Sequence, residues 1–459
     1  MLRYSRHRER TKEVYNVRFA TLAGTFLTLL GLSACGAREA VPASSPSSQA
    51  ADRFVRGARM HSAHSASGGV IQHVVYIIQE NRSFNNLFMG FKGATTQNYG
   101  YDTKGDKIKL HSQSIATNWD IDHSVGGFFT AYDDGRMDGW NNEYACCSQP
   151  ANFAYAFAPK SETKTYWEMA EQYVLADNLF QSNLDGSFIA HQYAIAAYAN
   201  GEVDFPSSDW GCQGGPYDVI PTLTQNRAYG PDVPVCEDYT TLGDELDAAS
   251  LSWRFYTYPY NEDGGLWNAY SAVSHIYNGP DYTTDVITPA TQFITDVEEA
   301  KLAAVTWITP TAGNSDHAGS ESKGGPAWVA SLVNAVGESP FWDSTVVFIT
   351  WDDWGGWFDP VRPIYEDYDG LGFRVPLIAI SAYAKQGYVS HVQYENSSVL
   401  RFMEDNFGLA PLAASDARAA DPASDFFNFS QQPRPFKPFT VKTKAASHWN
   451  GVRPLVGGD

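Results

Sequence analysis

The sequence has few basic side chains for the number of acidic ones that it carries. Its 459 residues include 32 Lys and Arg against 52 Asp and Glu, which gives a formal net charge of -20 at pH 7. A surface with this charge repels nucleic acid and anionic lipid headgroups over long distances. The composition therefore argues against a DNA- or RNA-binding protein. We expect an anionic substrate to be attracted locally, by a device such as a bound metal ion.

Cysteine is also scarce, with five residues in the chain, of which Cys35 lies near the N-terminus. No Cys-x-x-Cys spacing is present, so the sequence offers no support for a zinc site. The other four cysteines are Cys146, Cys147, Cys212 and Cys236. In an exported protein, an even number suggests two disulfides. Because adjacent cysteines rarely bond each other, we expect Cys146 and Cys147 each to pair with Cys212 or Cys236.

The chain lacks the Gly-x-Ser-x-Gly sequence that presents the nucleophile of α/β-hydrolases. A Ser-His-Asp triad is therefore a poor fit to this protein. A serine nucleophile still needs activation, and coordination to a metal ion is the other common means.

The N-terminal segment has the features of an export signal. Basic residues precede an apolar run at 19–32 that is short for a membrane span. The run ends in Leu32-Ser33-Ala34-Cys35, which resembles the lipobox of bacterial lipoproteins, whose cysteine is acylated and begins the mature chain. We expect residues 1–34 to be a signal peptide, Cys35 to carry a lipid anchor and residues 35–68, rich in Ser and Pro, to be a tether. The protein would then be exported and anchored at the bacterial envelope, or secreted if Cys35 is unmodified.

Beyond residue 69 the chain alternates short apolar runs with helix-like segments. Runs that are apolar throughout are typical of strands buried on both faces of a parallel sheet. Such runs occur at 73–78, 302–308, 346–350 and 375–380, and helical patterns occur at 327–337 and 397–407. The alternation predicts a layered α/β fold with a mostly parallel sheet, in one catalytic domain over 69–432. We expect a loop-rich insertion at about 200–290 that covers one face, and a C-terminal tail at 433–459.

Polar residues follow two of these apolar runs. Glu80 and Asn81 come after the first run, and Asp352 and Asp353 come after the run at 346–350. Ligands bind beyond the carboxyl ends of strands in α/β sheets, so we expect both pairs at one rim. A bound cation would relieve the repulsion between the carboxylates, and Ca²⁺, Mg²⁺ and Mn²⁺ prefer such oxygen ligands. The sequence therefore predicts one divalent metal ion, although either pair alone is typical of a helix cap or a turn.

Ser187 precedes a helix-like stretch at 188–197. A residue at a helix N-terminus lies beside free backbone N–H groups that favour an anion, so Ser187 is a candidate nucleophile as well as a candidate helix cap. His123 and His317 lie in polar loop sequences. Each is a candidate to donate to a phosphoryl oxygen or to protonate a leaving group. His191 is a weaker candidate, because it falls inside the predicted helix.

Taken in order, these segments resemble the bacterial phosphoesterase family that joins phosphocholine-type phospholipases C with the respiratory-burst-inhibiting acid phosphatases. The resemblance covers roughly residues 70–430. It rests mainly on residues 74–84, which end in Glu80-Asn81-Arg82-Ser83-Phe84, on Asp122-His123 and Asp316-His317, and on residues 339–359, which include Asp352-Asp353.

The resemblance implies an alkaline-phosphatase-like core with three layers, α/β/α. It also implies a metal ion held by Glu80, Asn81, Ser187, Asp352 and Asp353. In that family pattern Ser187 is the nucleophile and forms a phosphoserine that water then hydrolyses. His123 and His317 contact the phosphoryl group.

The chain departs from the family pattern in four places. Asn85 stands where an Asp is common, and the Pro-Asn that follows the nucleophile of the lipases is absent after Ser187. The lipases usually carry Asp-Glu where this chain has Asp352-Asp353, which makes it resemble the acid phosphatases more closely. Many members carry Asp-His where this chain has Asp359-Pro360, so one expected imidazole is missing. The nearby Trp351, Trp354 and Trp357 are interpreted as core residues, with a wall of a choline-binding pocket as the alternative.

The sequence thus predicts a metal-dependent hydrolase of phosphate esters that is similar to the acid phosphatases. Phospholipase C activity on phospholipid headgroups is the alternative within the same family. An alternative of another class is a non-catalytic surface lipoprotein that binds glycans through the aromatic loops at 250–290.

Overall fold

The computed structural model describes residues 67–147, 149–261 and 264–441. Its centre is a sheet of eight strands. In chain order these strands are β1 (His73–Gln79), β2 (Val174–Ala176), β3 (Trp253–Tyr256), β4 (Val286–Ile287), β5 (Val305–Ile308), β6 (Thr345–Trp351), β7 (Leu377–Ser381) and β8 (Tyr388–Ser390). The predicted signal peptide, the anchor at Cys35 and nearly all of the predicted tether lie outside the described residues.

The strands lie side by side in the order β4-β3-β5-β1-β6-β7-β2-β8. β1 is parallel to both of its neighbours, and Ile77 lies opposite Ile308 of β5 and Ile349 of β6. β7 runs antiparallel to β6 and β2, whereas the other pairings in this sheet are parallel. Every residue of β6 and β7 is buried, as expected for strands covered on both faces. The prediction of an α/β fold with a mostly parallel sheet is confirmed.

Helices pack in two groups around this sheet. In chain order the α-helices are α1 (Phe84–Phe88), α2 (Val125–Tyr132), α3 (Lys160–Gln172), α4 (Ser187–Ala196), α5 (Leu242–Ala248), α6 (Ser274–Tyr277), α7 (Asp281–Thr284), α8 (Gln292–Glu298), α9 (Gly325–Gly337), α10 (Ser397–Phe407), α11 (Ala414–Arg418) and α12 (Ala423–Phe426). One group joins α3, α8 and α9, and the other joins α4, α5, α10 and α11. Within the described ranges, none of these helices has the length and apolar character needed to span a bilayer.

The sequence explains where the main elements begin and end. β6 consists of β-branched and aromatic residues, the types that favour a buried strand. α9 has Pro326 in its first turn, a position that does not need the missing N–H. α10 ends at Gly408, whose φ of 73° is a left-handed conformation that glycine adopts without strain. The observed α9 and α10 match the predicted helices at 327–337 and 397–407 closely.

The stretch at 200–290 contains more regular structure than its composition predicted. β3 is an interior strand of the main sheet between β4 and β5, although its flanking residues are typical of loops. The larger aromatic side chains of this part of the chain face the core, since Trp253, Phe255, Tyr256, Trp267 and Tyr270 are all buried. These rings are therefore not available to bind a glycan at the surface, as the hypothesis of a non-catalytic glycan-binding lipoprotein required.

The disulfide prediction is wrong in its pairing. Cys212 bonds Cys236, with the two Cα atoms 4.5 Å apart, and Cys146 and Cys147 are free thiols. The two bonded cysteines are 24 residues apart in one loop-rich stretch, so a short closed loop brings them together. Cys146 is held elsewhere, by a backbone hydrogen bond to Asp120.

A buried ion pair lies next to Pro360, the position at which a histidine was expected from the family pattern. Arg374 Nε donates to Asp359 Oδ1 at 2.8 Å, and Arg374 Nη2 donates to Asp359 Oδ2 at 3.0 Å. Both side chains are fully buried. Asp359 also accepts the backbone N–H groups of Asn85 and Val361, so the carboxylate next to Pro360 joins three parts of the chain.

We expect Asp359→Ala to lower the free energy of unfolding by about 3–5 kcal/mol, because the Arg374 charge would stay buried without its carboxylate. Asp405→Ala is the matched control, since Asp405 pairs with Arg401 at a partly exposed position. The control should cost less than about 1 kcal/mol. Urea unfolding of both variants measures the difference, and equal losses of stability would contradict this account of the pair.

Candidate active site

Two neighbouring strands deliver four polar side chains to one edge of the sheet. β1 and β6 are parallel, and their last residues, Gln79 and Trp351, lie opposite each other. Glu80 and Asn81 therefore leave β1 at the same edge where Asp352 and Asp353 leave β6. The backbone N–H of Asn81 donates to Asp352 Oδ1 at 2.8 Å, which ties the two segments together. The structure thus brings together the two clusters that were expected at one rim.

Ser187 lies at the centre of this group. It is the first residue of α4, and Gly186 is the N-cap, so the Ser187 side chain is not used to cap the helix. Ser187 Oγ lies 3.2 Å from Glu80 Oε2 and 3.3 Å from both Asn81 Oδ1 and Asp353 Oδ2. A hydroxyl has one proton and can donate fully to only one of these three oxygens. Oxygen atoms of these types, grouped so closely, are ligands that a divalent cation can bind.

The residues present fit a divalent metal ion. Glu80 and Asp353 are fully buried, and Asp352 is 2% exposed. Among the described residues, Asp352 Oδ2 has no hydrogen-bond partner. Buried carboxylates grouped in this way are costly unless positive charge compensates them. Carboxylate, amide and hydroxyl oxygens are ligands for hard cations, so the group has the chemistry of a Ca²⁺, Mg²⁺ or Mn²⁺ site.

His191 is the site residue that the sequence interpretation underrated. Its Nε2 lies 3.0 Å from Glu80 Oε1 and 3.7 Å from Asp352 Oδ2. The ligand atoms of Glu80, His191 and Asp352 all lie within 4.8 Å of one another, which makes them a candidate metal-binding group. The signal was the spacing from Ser187: residues four apart lie on the same face of a helix, so a site at Ser187 includes His191.

His123 and His317 lie together beside this group. The N–H at His123 Nδ1 is 2.7 Å from the carbonyl oxygen of Ile121, and Nε2 is 2.9 Å from Asn81 Nδ2. His317 forms a corresponding hydrogen bond from Nδ1 to the carbonyl oxygen of Ala318. The two ring centres are 5.8 Å apart. With Asp120, these histidines form a second group of side chains that could bind a metal ion.

Asp316 stabilises the segment that carries His317 and does not join the group around Ser187. Its Oδ2 accepts hydrogen bonds from Tyr166 Oη at 2.8 Å and Trp351 Nε1 at 3.0 Å. Burial raises the pKa of Asp316 to about 6. Arg82 donates to the backbone oxygen of Asp316 at 2.7 Å, and burial lowers the pKa of Arg82 to about 10. These contacts connect the end of β6 to the loop before His317.

The tryptophans near the site belong to the core. Trp351, Trp354 and Trp357 are completely buried. Trp354 packs against Trp140 and Phe373. The interpretation of these rings as core residues is therefore confirmed, and they are not available as an accessible choline-binding wall.

The chain turns sharply after Asp353 because of Gly355. Its φ of +59° is left-handed, and a Cβ atom at this position would overlap the backbone oxygen of Asn81. Gly90 has a similar φ of +84° but has open space where its Cβ would lie. Both glycines therefore have a left-handed backbone conformation, but only at Gly355 would a Cβ atom meet another part of the chain.

We expect Gly355→Ala to lower the free energy of unfolding by about 1–3 kcal/mol more than Gly90→Ala does, because only Gly355 adds a backbone clash to the left-handed strain. Chemical unfolding of the two variants measures this difference. The same loss in both variants would mean that the Asn81 contact has no energetic consequence.

Comparisons with known proteins find a family and relatives that match most of the chain. A model of the Phosphoesterase family matches residues 71–410. Phospholipase C B of Mycobacterium tuberculosis is 24% identical over 445 residues, which cover 80% of each chain. Hemolytic phospholipase C of Pseudomonas aeruginosa is 25% identical, over 76% of this chain and 54% of the relative. Non-specific phospholipase C1 of Arabidopsis thaliana is 22% identical, over 80% of this chain and 72% of the relative.

Solved structures are more distant. A protein of the alkaline phosphatase superfamily from Vibrio parahaemolyticus aligns with a TM-score of 0.39 and 10% identity, over 78% of this chain and 72% of its own. The lipoteichoic acid synthase LtaP from Listeria monocytogenes aligns with a TM-score of 0.37 and 9% identity, over 84% of each chain. Because these TM-scores are low, we draw no conclusion from the structural similarity.

Proposed function

The chain belongs to the Phosphoesterase family and is a phosphoric ester hydrolase, and on that premise we propose that Ser187 is its nucleophile and a divalent cation its cofactor. The proposal rests on one observation. Ser187 Oγ lies within 3.3 Å of oxygen atoms from Glu80, Asn81 and Asp353, which reach it from two strands of the sheet. An isolated structural serine needs no such surroundings.

Five residues would hold the cation: Glu80, Asn81, Ser187, Asp352 and Asp353. His191 is a further candidate, since its Nε2 lies close to both Glu80 and Asp352. When bound, a divalent cation here supplies positive charge that stabilises a phosphoryl oxygen and lowers the pKa of a nearby hydroxyl.

The protein side chains supply the nucleophile and the proton transfers. Ser187 Oγ attacks the phosphorus atom, and its proton passes to Glu80 Oε2 or Asp353 Oδ2, at 3.2 and 3.3 Å. The backbone N–H groups at the start of α4 face the same region and favour the negative phosphoryl oxygens. His123 or His317 protonates the leaving oxygen as the ester bond breaks. The product of this step is an alcohol and a phosphoserine at position 187.

A second displacement completes the reaction. Water attacks the phosphorus atom of the phosphoserine, and the bond to Ser187 Oγ breaks. A histidine that has given up its proton in the first step can accept the proton of this water. The carboxyl group that received the Ser187 proton in the first step returns it to Ser187 Oγ, which restores the hydroxyl. The phosphate, with any group still esterified to it, is released.

Two substrate classes fit this chemistry. The Asp352-Asp353 pair is similar to the sequence of the acid phosphatases at this position, which favours phosphate monoesters as substrates. The curated relatives are named phospholipases C, which favours the phosphodiester of a phospholipid headgroup. We propose that the enzyme is exported and, through a lipid on Cys35, held at the bacterial envelope, where both substrate classes can reach it.

A pair of chromogenic esters separates the two classes. We expect the wild-type protein to hydrolyse p-nitrophenyl phosphate, p-nitrophenyl phosphorylcholine or both, and a chelator to suppress the reaction. A larger kcat/KM for the monoester identifies a phosphatase, and a larger kcat/KM for the phosphocholine ester identifies a phospholipase C. Turnover of both esters no faster than that of Ser187→Ala would count against the proposed function.

A further inference from the structure

The two free cysteines form an adjacent pair with close sulfur atoms. Cys146 and Cys147 are neighbours in sequence, and their Sγ atoms lie 2.8 Å apart. A disulfide bond is shorter than this by about 0.8 Å. Cys147 is exposed and has a left-handed φ of 67°, whereas Cys146 is half-buried. Because Cys212 and Cys236 already bond each other, the pair has no other cysteine to bond among the described residues.

Hydrogen bonds connect this pair to His123. The backbone N–H of Cys146 donates to the carbonyl of Asp120 at 3.0 Å, and the backbone N–H of Asp120 donates to Cys146 Sγ at 3.4 Å. Ile121 forms an antiparallel bridge with Ala145. The carbonyl oxygen of Ile121 is the one that fixes His123 Nδ1. A change at Cys146 Sγ is therefore two hydrogen bonds away from a proposed catalytic imidazole.

We propose that Cys146 and Cys147 are a redox-responsive site, at which a small-molecule disulfide closes the two thiols into a disulfide and thereby displaces residues 120–123. Adjacent Cα atoms are about 3.8 Å apart, below the usual range for a disulfide of about 4.4–6.8 Å. A bond between neighbours is therefore strained and easily reduced, unlike a structural disulfide. This site goes beyond the proposed hydrolysis and does not depend on it.

The exchange is balanced in atoms and electrons. The thiolate of the exposed Cys147 attacks one sulfur of oxidised glutathione and releases one glutathione thiolate. Cys146 then loses its proton and attacks Cys147 Sγ, which breaks the mixed disulfide and releases the second glutathione. The two cysteines lose two electrons and two protons, and one glutathione disulfide becomes two thiols. Reduced glutathione reverses both steps.

The test compares the full-length protein with the double variant Cys146→Ser/Cys147→Ser, in which serine keeps a small polar side chain beside Asp120. Each protein is equilibrated with oxidised or reduced glutathione, alkylated, digested and mapped by mass spectrometry. We expect the wild-type peptide with both cysteines to lose two hydrogen atoms under oxidising conditions and to regain them with reduced glutathione, while Cys212–Cys236 stays bonded. Amide hydrogen exchange over residues 120–123 should change by at least about twofold in the wild type and not in the variant.

Two results would overturn the proposal. A glutathione adduct on Cys147 without a bond to Cys146, or a new bond from either residue to Cys212 or Cys236, would reject the adjacent disulfide. A Cys146–Cys147 bond that left amide exchange over residues 120–123 unchanged would reject the link to His123.

Discussion

Ser187→Ala should lower kcat by on the order of 10⁴-fold or more, since alanine has no oxygen to attack phosphorus. The KM should change little, because four of the five residues proposed to hold the cation and the N–H groups of α4 remain. The measurement is steady-state kinetics with whichever ester the wild type hydrolyses faster. Acid quenching during turnover should also trap a phosphate group on the wild-type peptide that contains Ser187, and no such adduct on the variant.

The matched control is Ser381→Ala. Ser381 is also fully buried, but it donates to the carbonyl oxygen of Thr345 at 2.8 Å, at the start of β6 and thus at the opposite end of that strand from Asp352. Its loss should leave kcat within about twofold of the wild type. If Ser187→Ala kept a tenth of the activity, or if phosphate appeared on a different residue, Ser187 would not be the nucleophile.

Removal of divalent metal should lower turnover by more than about 10³-fold, because the buried carboxylates would then repel a phosphate ester instead of binding it. We expect a chelated and dialysed sample to recover activity when Ca²⁺, Mg²⁺ or Mn²⁺ is added. The ion that restores activity at the lowest concentration identifies the cofactor. Metal content measured by mass spectrometry before and after chelation provides the second readout.

A pair of variants tests the location of this metal. Asp353→Asn should bind the metal more weakly and lose most of the turnover, since one anionic ligand becomes neutral. Asp425→Asn is the control: Asp425 also accepts bonds from hydroxyl groups, those of Tyr388 and Tyr394, but these lie near β8. Full turnover after chelation, or unchanged metal affinity in Asp353→Asn, would contradict a metal site beside Ser187.

The part of the site that lies at strand ends could be predicted from the sequence. The runs at 73–78 and 346–350 are almost entirely apolar, a pattern typical of strands buried on both faces, so Glu80 and Asp352 could be placed at one edge of a sheet. His191 was underrated because a histidine on a helix has no signature of a ligand when taken alone; only its spacing of four residues from Ser187 places it at the site. β3 was missed because four residues between loop-forming stretches give too little periodicity to identify a strand.

Local residue patterns by themselves determined the layered α/β fold, the helices at 327–337 and 397–407 and the positions at which polar residues follow buried strands. These features depend on neighbours within a few residues, where side-chain periodicity and backbone preferences act directly. Only the tertiary structure decided that His191 meets Glu80, that Cys212 bonds Cys236 and that Cys146 lies beside Asp120. Such contacts join residues far apart in sequence, and their geometry follows from how the whole chain packs around the sheet.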